Sequence, residues 1–482
     1  MSRQRRRVGT LPAVVLLCLL GGCLLVGLLA VLGAAPESAG AAARGIIDQR
    51  IDQRLAQASP DPATDAIIGE MSGGLRARWT RIVVNWGQAQ PQEPPAGYND
   101  VYLANLGAAI AKLKAAGVRV ILTAFAVPKW ASDRSLWSSP PPGYEKGYQY
   151  FYAPDPDHVT DFGKLGGELA KRFAKYGVLY ECWNEPNLFV YLYPQMRAGA
   201  PDFGLRTYLN MLKSFSRGIK AVQPKATVIA GANMPYGYNT PLSTSPQRFA
   251  AYLKQHGGAK YFDAYSHHPY QVGGSKNLAP DKPPYNTRNS VTLYNLQQLL
   301  RVFPTKPFYL TEYGYCTRDT YQGFVGVSEV RQASYLRKAY AMAARHRQVK
   351  ALLWFLVKDS GPYDSPSGIF MGLSKYDGTR KLAWFAFAGG NRLSLSAPKT
   401  VRRAKQFSLT GKLSNREGPV AGKNLLLLAR SASQTAWKTV AKTSTRSDGT
   451  YSFGRLSQQA TRSYRVKWLG VTQSVTRTVR TP

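Results

Sequence analysis

The sequence predicts an α/β protein, a (β/α)8 TIM barrel followed by a small all-β sandwich. Eight apolar, strand-like runs follow one another between residues 44 and 357, and helix-like segments separate most of them. This alternation is typical of a parallel sheet wound with helices, and eight units indicate a closed barrel. A doubly wound open sheet is the alternative, but no glycine-rich nucleotide-binding motif supports a nucleotide-binding version of it.

The predicted barrel domain covers residues 44–392. Two of its helical segments, YLANLGAAIAKLKAAG and FGKLGGELAKRFAKYG, end in a glycine that is suited to cap a helix C-terminus. The eight strand candidates are RGIIDQRI (44–51), WTRIVVNW (79–86), VRVILTAFAV (118–127), GVLYECWNE (177–185), ATVIAGANM (226–234), YFDAYSHHPY (261–270), PFYLTEYGY (307–315) and VKALLWFLV (349–357).

The second predicted domain covers residues 396–482. Its short strand-like runs are separated by Gly-Pro and Asp-Gly pairs, which are turn signals and favour a β-sandwich. It contains 17 Lys or Arg but only two acidic residues, Glu417 and Asp448, so its formal charge is 17 − 2 = +15. We expect this basic domain to hold the protein to an anionic cell wall or envelope; a solvated basic surface without a partner is the alternative.

Residues 1–43 are predicted to be a signal peptide or an uncleaved membrane anchor. Four Arg precede an apolar run from about Val8 to Ala35, and this order places the basic end inside. The segment LGGC also resembles a lipoprotein cleavage box that ends at Cys23, although the apolar run continues past it. Whether the segment is a signal peptide, an uncleaved anchor or a lipoprotein signal, we expect the rest of the chain to be extracellular or at the cell surface. Only this segment would contact the membrane.

The whole chain has a formal charge of +36, for which nucleic acid, an anionic surface or an acidic substrate could be the partner. Export argues against nucleic acid. No metal-ligand spacing or cofactor motif is visible, so we expect no metal and no cofactor. Cys182 and Cys316 could form a disulfide, but we expect two separate thiols because Cys182 lies inside a predicted strand.

Two carboxylates stand at the ends of predicted strands. Glu185 follows the fourth run in CWNEPN, and Glu312 lies in the seventh run in YLTEYGY. The carboxyl ends of barrel strands form the active face. Glycoside hydrolysis with retention requires two carboxyl groups about 5–5.5 Å apart across the scissile bond, and we expect this pair to converge at that distance. Glu181 lies deeper in the same strand and is predicted to be structural.

At these motifs the chain resembles the clan A glycoside hydrolases, most closely family 39 and family 5-like cellulase-type proteins. WNEPN and LTEYG carry the resemblance, and VPKWAS (127–132), FDAYSHHPY (262–270) and LLWF (352–355) extend it over residues 45–390. The segments EGPVAG, TRSDGTYSFG and SYRV are similar to prealbumin-like or Ig-like accessory modules.

The resemblance implies a role for each matching residue. Glu185 would be the general acid/base and Glu312 the nucleophile. Asn184 would bind the sugar 2-hydroxyl, and Arg81 would keep Glu312 ionised. Of the neighbouring His267 and His268, His268 would contact the carboxyl pair.

Aromatic residues complete the implied site. Tyr270 would join His268 at the carboxyl pair, and Trp354 would form the floor of the subsite that holds the reacting sugar. Trp130 and Trp86 are candidate stacking platforms, although Trp86 could instead pack against helices. Asp359 and Asp364 follow the eighth strand and could touch substrate.

The sequence therefore predicts an exported glycoside hydrolase that cleaves O-glycosidic bonds of a poly- or oligosaccharide by a two-glutamate double displacement. A non-catalytic carbohydrate-binding, wall-binding or adhesion protein on a barrel scaffold is the alternative.

Overall fold

The barrel predicted from the sequence is present in the computed structural model. The structure describes residues 42–55, 62–271, 278–320, 324–362, 364–365 and 367–482. Eight parallel strands pair in sequence order and β8 returns to β1, which closes the barrel. The strands are β1 Ala43–Ile47, β2 Trp79–Asn85, β3 Arg119–Phe125, β4 Leu179–Cys182, β5 Val228–Asn233, β6 Ala264–His267, β7 Phe308–Tyr313 and β8 Val349–Phe355.

Residues 1–41, which hold nearly all of the predicted signal peptide or anchor, lie outside the described residues. Among the residues that are described, the helices are all too short or too polar to cross a membrane.

All eight strands end earlier than predicted, the first, fourth and sixth by three or four residues. After β1 the chain turns at Asp48, whose side chain accepts a hydrogen bond from the Arg50 amide and caps a helix where the sequence indicated strand. β4 stops at Cys182 because Trp183 and Glu185 have φ values of +73° and +44°, which an extended strand does not adopt. Glu185 therefore lies in the loop after β4.

Helices surround the barrel. Several begin at an N-cap side chain; Asn99, Ser245 and Ser328 each accept a hydrogen bond from the amide three residues later. The helices are α1 Gln49–Arg54, α2 Pro62–Gly69, α3 Trp86–Ala89, α4 Asp100–Ala115, α5 Val159–Phe173, α6 Phe203–Val222, α7 Pro246–Gln255, α8 Gln297–Val302, α9 Glu329–Ala343 and α10 Leu382–Ala388, with a π-helical turn at Glu70–Gly74 and 3-10 turns at Lys129–Ala131, Arg134–Leu136, Pro156–His158, Ala174–Tyr176 and Gly258–Tyr261.

Glycines let α5 and α6 approach closely. A Cβ on Gly218 of α6 would lie 1.8 Å from the carbonyl oxygen of Gly163 on α5, so a larger residue could not occupy the position. α6 contacts β4, the strand that leads to Glu185, and Phe162 of α5 packs against Trp183, the residue that follows this strand.

The C-terminal region forms two antiparallel sheets, in agreement with the prediction. β10 Phe407–Asn415 pairs with β9 Arg392–Leu393, β11 Gly418–Pro419 and β14 Thr450–Leu456. The second sheet has the order β13-β12-β15-β16, with β17 beside β15. Its strands are β12 Asn424–Ser431, β13 Lys438–Ser444, β15 Arg462–Trp468, β16 Thr472–Gln473 and β17 Arg477–Val479.

These sheets contact the barrel's outer helices. Trp468 packs on Phe385 of α10 with ring centroids 5.1 Å apart, and Arg380 forms an ion pair of 2.6 Å with Glu417. Cys182 and Cys316 are both buried and unpaired, as expected.

Candidate active site

The carboxyl ends of three barrel strands bring predicted polar residues together. Glu185 follows β4, His268 follows β6 and Glu312 lies near the end of β7. One carboxyl oxygen of each glutamate and one ring nitrogen of His268 lie within 4.8 Å of one another. This separation of the carboxyl groups is close to the ~5–5.5 Å of retaining glycosidases and shorter than the ~6.5–9.5 Å of inverting ones.

An irregularity in β7 directs Glu312 into the barrel. Leu310 pairs with Leu352 of β8, but the next pair is Tyr313 with Trp354, so three steps on β7 oppose two on β8. Such a bulge re-aims side chains. As a result Thr311 and Glu312, although adjacent, both contact polar groups inside the barrel.

The loop after β4 is held firmly around Glu185. The Glu185 amide donates to the Ala232 carbonyl at 3.0 Å. Asn187 is fully buried, and its side-chain amide donates to the carbonyls of Met234, Tyr236 and Thr244. These bonds hold the positive-φ backbone at Glu185 and so fix the position of its carboxyl group.

Arg81 of β2 links three of the predicted residues. Its Nε donates to Glu181 at 2.6 Å, one terminal nitrogen donates to Glu312 at 2.6 Å, and the other donates to Asn184 at 2.9 Å. Arg81 and Glu181 are almost completely buried. The guanidinium therefore holds Glu312 in place and supplies a positive charge that favours its ionised form.

Glu181 has the structural role expected of it. Its Oε2 accepts from Arg81 and, at 2.7 Å, from the Thr123 hydroxyl, and its Oε1 accepts from the Thr311 hydroxyl at 2.9 Å. These three donors lie on β2, β3 and β7. Glu181 is thus a buried anchor for the residues around it.

His268, not His267, reaches the carboxyl pair. Its Nδ1 lies 2.7 Å from Oε1 of Glu185 and 3.8 Å from Oε2 of Glu312. His267 instead bonds the Val291 carbonyl at 2.8 Å, and burial lowers its pKa to about 4. The one-residue ambiguity in the sequence is therefore resolved, with His267 as the loop brace.

The hydrogen bonds around His268 determine where the protons lie. Its Nε2 is 3.1 Å from the Thr311 hydroxyl, which has one proton and donates it to Glu181. Thr311 therefore accepts from Nε2–H, and because burial and Arg81 lower the pKa of His268, the ring is neutral and its Nδ1 is an acceptor. The partner of Nδ1 at 2.7 Å must then be a donor, so Glu185 carries a proton on Oε1.

The environments of the two carboxyl groups agree with this assignment. Burial and the charge of Glu312 raise the pKa of Glu185 well above its usual value. Burial also raises the pKa of Glu312, but Arg81 and the hydrogen bond from Tyr270 oppose that rise. The pair therefore holds its shared proton on Glu185.

Tyr270 and Asn184 lie where they were predicted. The Tyr270 hydroxyl donates to Oε2 of Glu312 at 2.9 Å. Asn184 is almost buried, and its Oδ1 accepts from Arg81, which leaves its amide nitrogen as the group that could donate to a sugar hydroxyl.

The prediction for Trp354 is wrong. Its indole is fully buried on the outer side of β8, where it packs edge-on against Tyr313 and donates to the Met371 carbonyl at 2.9 Å. The neighbouring Phe355 belongs with the residues that face the barrel interior. Since successive strand residues point to opposite faces, Phe355 rather than Trp354 is on the pocket side.

The contacts of Trp130, Trp86 and Asp359 are with residues outside the carboxyl pair. Trp130 is partly exposed, contacts Trp86 and His158, and donates to the Gln90 carbonyl; its stacking role stays a prediction. Trp86 is fully buried against Phe162 of α5, so the packing alternative was correct. Asp359 forms a buried ion pair of 2.8 Å with Lys381, and Asp364 is exposed.

Sequence reasoning missed two residues of the site. Thr311 connects His268 to Glu181, and the Tyr191 hydroxyl lies close enough to Glu185 to lower its pKa by hydrogen bonding. Thr311 could have been noticed because it directly precedes Glu312. Tyr191 lies in the loop after β4, among several tyrosines with no distinguishing pattern.

Comparison with known proteins places the chain among the glycoside hydrolases. The family model Cellulase (glycosyl hydrolase family 5) matches residues 75–360, more than half of the chain. No curated protein sequence matches it.

Solved structures share the fold at low identity. A family 39 glycoside hydrolase from Bacteroides cellulosilyticus WH2 has a TM-score of 0.51 and 15% identity, over 86% of this chain and 80% of the other. GH5_18 from Bifidobacterium longum, in complex with Manβ1-4GlcNAc, has a TM-score of 0.50 and 14% identity, over 72% and 77%. GH5_18 from Streptomyces cattleya, in a complex with the same disaccharide, has a TM-score of 0.50 and 13% identity, over 72% and 79%.

Proposed function

The chain belongs to the cellulase family, glycosyl hydrolase family 5, and on that premise we propose that it is an exported, retaining glycosidase that uses Glu312 as nucleophile and Glu185 as acid/base. Its substrate is a poly- or oligosaccharide. The observation that carries the proposal is that the carboxyl groups of Glu185 and Glu312 approach within 4.8 Å in unequal surroundings. Glu312 faces the Arg81 cation, and Glu185 faces the acceptor nitrogen of His268.

In the first step the Glu312 carboxylate attacks the anomeric carbon while Glu185 gives its proton to the leaving oxygen, so the glycosidic bond breaks as a glycosyl ester forms. In the second step the Glu185 carboxylate takes a proton from water, which attacks the same carbon and releases Glu312. Asn184 would donate to the 2-hydroxyl, a bond that strengthens in the transition state.

The reacting sugar is proposed to be neutral. Arg81 is the cation that acts on both carboxyl groups, and each of its three guanidinium nitrogens already donates to a protein oxygen. A uronic acid at this position would bring a further negative charge beside Glu312 without a dedicated partner. β-Mannosides are a first choice for a substrate panel, because the two GH5_18 structures hold Manβ1-4GlcNAc.

The test uses aryl β-glycosides with good and poor leaving groups. Glu312→Gln should lose turnover of both. Glu185→Gln should lose about 10²–10⁴-fold on the poor leaving group, while the first step with the good leaving group survives because it needs no proton. Glu93→Gln is the matched control, since Glu93 is more than half exposed. Near-normal hydrolysis of the substrate with the poor leaving group by either site variant would show that the assignment is wrong.

The alternative function, a carbohydrate- or wall-binding protein without catalysis, predicts binding by the wild type and no turnover on the whole panel. Export through residues 1–43 and attachment to an anionic envelope through the C-terminal domain remain parts of the proposal. N-terminal sequencing of protein recovered from the cell surface tests the first of these.

A further inference from the structure

The outer surface of the C-terminal sheet gathers cations. Side chains on β15 alternate between buried and partly exposed, and Val466 of β15 and Leu427 of β12 belong to the core. Their neighbours in sequence therefore lie on the opposite surface. We call this surface the basic face; its charged residues are Arg430, Lys442, Arg465 and Lys467.

Strand register places these cations in rows. Lys442 of β13 and Lys467 of β15 both pair with Leu426 of β12, so they stand in one row about 10 Å apart, two strand spacings. Arg465 lies two residues from Lys467 along the strand, about 7 Å away. Repeated charges at this spacing match a linear polymer better than a single small anion.

Trp437 holds the two arginines of the basic face in position. The Cζ atoms of Arg430 and Arg465 lie 4.9 and 4.2 Å from its ring centroid. Such cation–π contacts orient guanidinium groups. The Nε of Arg465 is buried and finds no acceptor in the part of the chain that the structure describes.

The cations of the basic face repel one another. Burial and Arg430 lower the pKa of Arg465, and burial, Arg465 and Arg337 lower the pKa of Lys467. The two acidic residues of this domain lie elsewhere: Glu417 pairs with Arg380, and Asp448 accepts from Thr450 in its own turn. Neither neutralises the basic face, so an external anion would relieve the repulsion.

We propose that the basic face binds an acidic polysaccharide through its repeated carboxylate or phosphate groups. The choice of a polysaccharide over other polyanions rests on the proposed glycosidase function of the barrel. The position of the sheet supports it, because Gly470 lies against Val330 and Ala333 in the first turn of α9. Since α9 follows β7, that turn is at the same end of the barrel as Glu312.

The test measures binding by the full chain carrying Glu312→Gln, so that no turnover interferes. The probes are polygalacturonate, poly(glycerol phosphate), neutral dextran and duplex DNA, compared by affinity gel electrophoresis at two salt concentrations. The triple variant Lys442→Gln/Arg465→Gln/Lys467→Gln should bind an acidic polymer about 10- to 100-fold more weakly. The control Lys399→Gln/Arg402→Gln/Lys405→Gln removes the same charge from exposed positions before β10 and should change binding less than about threefold.

If the basic-face triple variant loses affinity only for polygalacturonate, the ligand groups are carboxylates. If it loses affinity only for poly(glycerol phosphate), they are phosphates. Equal losses in both triple variants, or no binding of either polymer, would overturn the proposal. It is also overturned if DNA binds most tightly and depends on the same three residues. Aryl-glycoside hydrolysis by the basic-face variant with Glu312 intact is measured separately, so a failure of the glycosidase assignment is distinguishable.

Discussion

The barrel pocket and the basic face both concentrate charge, but they treat it in opposite ways. In the pocket the charges are paired, because Arg81 binds both Glu181 and Glu312, and the neutral His268 lies against the protonated Glu185. On the basic face Arg430, Arg465 and Lys467 have mainly one another as electrostatic neighbours.

This difference separates two uses of charge. Paired, buried charges fix the geometry on which bond cleavage depends, so removing one partner leaves another stranded. Like charges on the surface repel one another, and an anion that binds there relieves the repulsion. The net charge of +36 therefore describes the protein's surface and says nothing of its pocket.

The largest contrast is expected in stability. Arg81→Met leaves Glu181 and Glu312 buried without their cation and should lower the free energy of unfolding by about 3–5 kcal/mol. Arg465→Met removes a charge from a repelling cluster and should change it by less than about 0.5 kcal/mol, or raise it. Urea unfolding of both variants checks this, and a similar loss in the two would contradict the distinction.

The sequence was sufficient to predict the barrel and the carboxyl pair, because strand-sized apolar runs ending in Glu185 and Glu312 must converge at one end of a closed barrel. It was insufficient wherever a shift of one residue decides which face of a strand a side chain points to. Barrel strands are apolar on both sides, so alternation does not reveal which face is inner. The bulge in β7 shifts the phase of that strand as well. On β8 the resemblance of LLWF placed Trp354 in the pocket, whereas Phe355, one residue later, lies on the inner side.

The location of the positive charge was equally hidden. Counting predicted a basic C-terminal domain, but the row of Lys442 and Lys467 depends on cross-strand register. Trp437 approaches Arg430 and Arg465 from a connecting segment, a contact that no local pattern indicates.

A smaller effect, a fall in activity of about tenfold, is expected when the hydrogen bond between Thr311 and His268 is removed. Thr311→Val removes the acceptor for Nε2–H of His268, so the ring can place its proton on Nδ1 and donate to Glu185. That bond favours the ionised carboxyl and lowers its pKa. Because the general acid must be protonated, the basic limb of kcat/KM should move about one unit to lower pH, with activity above it falling about tenfold.

Thr311→Ser keeps the hydroxyl and should restore the wild-type profile. A purely structural role for Thr311 would lower stability without moving the limb, so an unshifted profile in the valine variant would refute the proton assignment.

The smallest change in activity is expected at Trp354. Its indole faces away from the pocket, so Trp354→Phe should leave KM within about twofold of wild type. It loses the hydrogen bond to the Met371 carbonyl and some packing, at a cost of about 1–3 kcal/mol in unfolding free energy. Phe355→Ala, on the inner side of β8, should raise KM instead. Substrate kinetics of both variants, with urea unfolding alongside, decide which of these adjacent residues belongs to the pocket. A raised KM in the Trp354 variant alone would restore the sequence-based prediction and reverse the assignment of faces on β8.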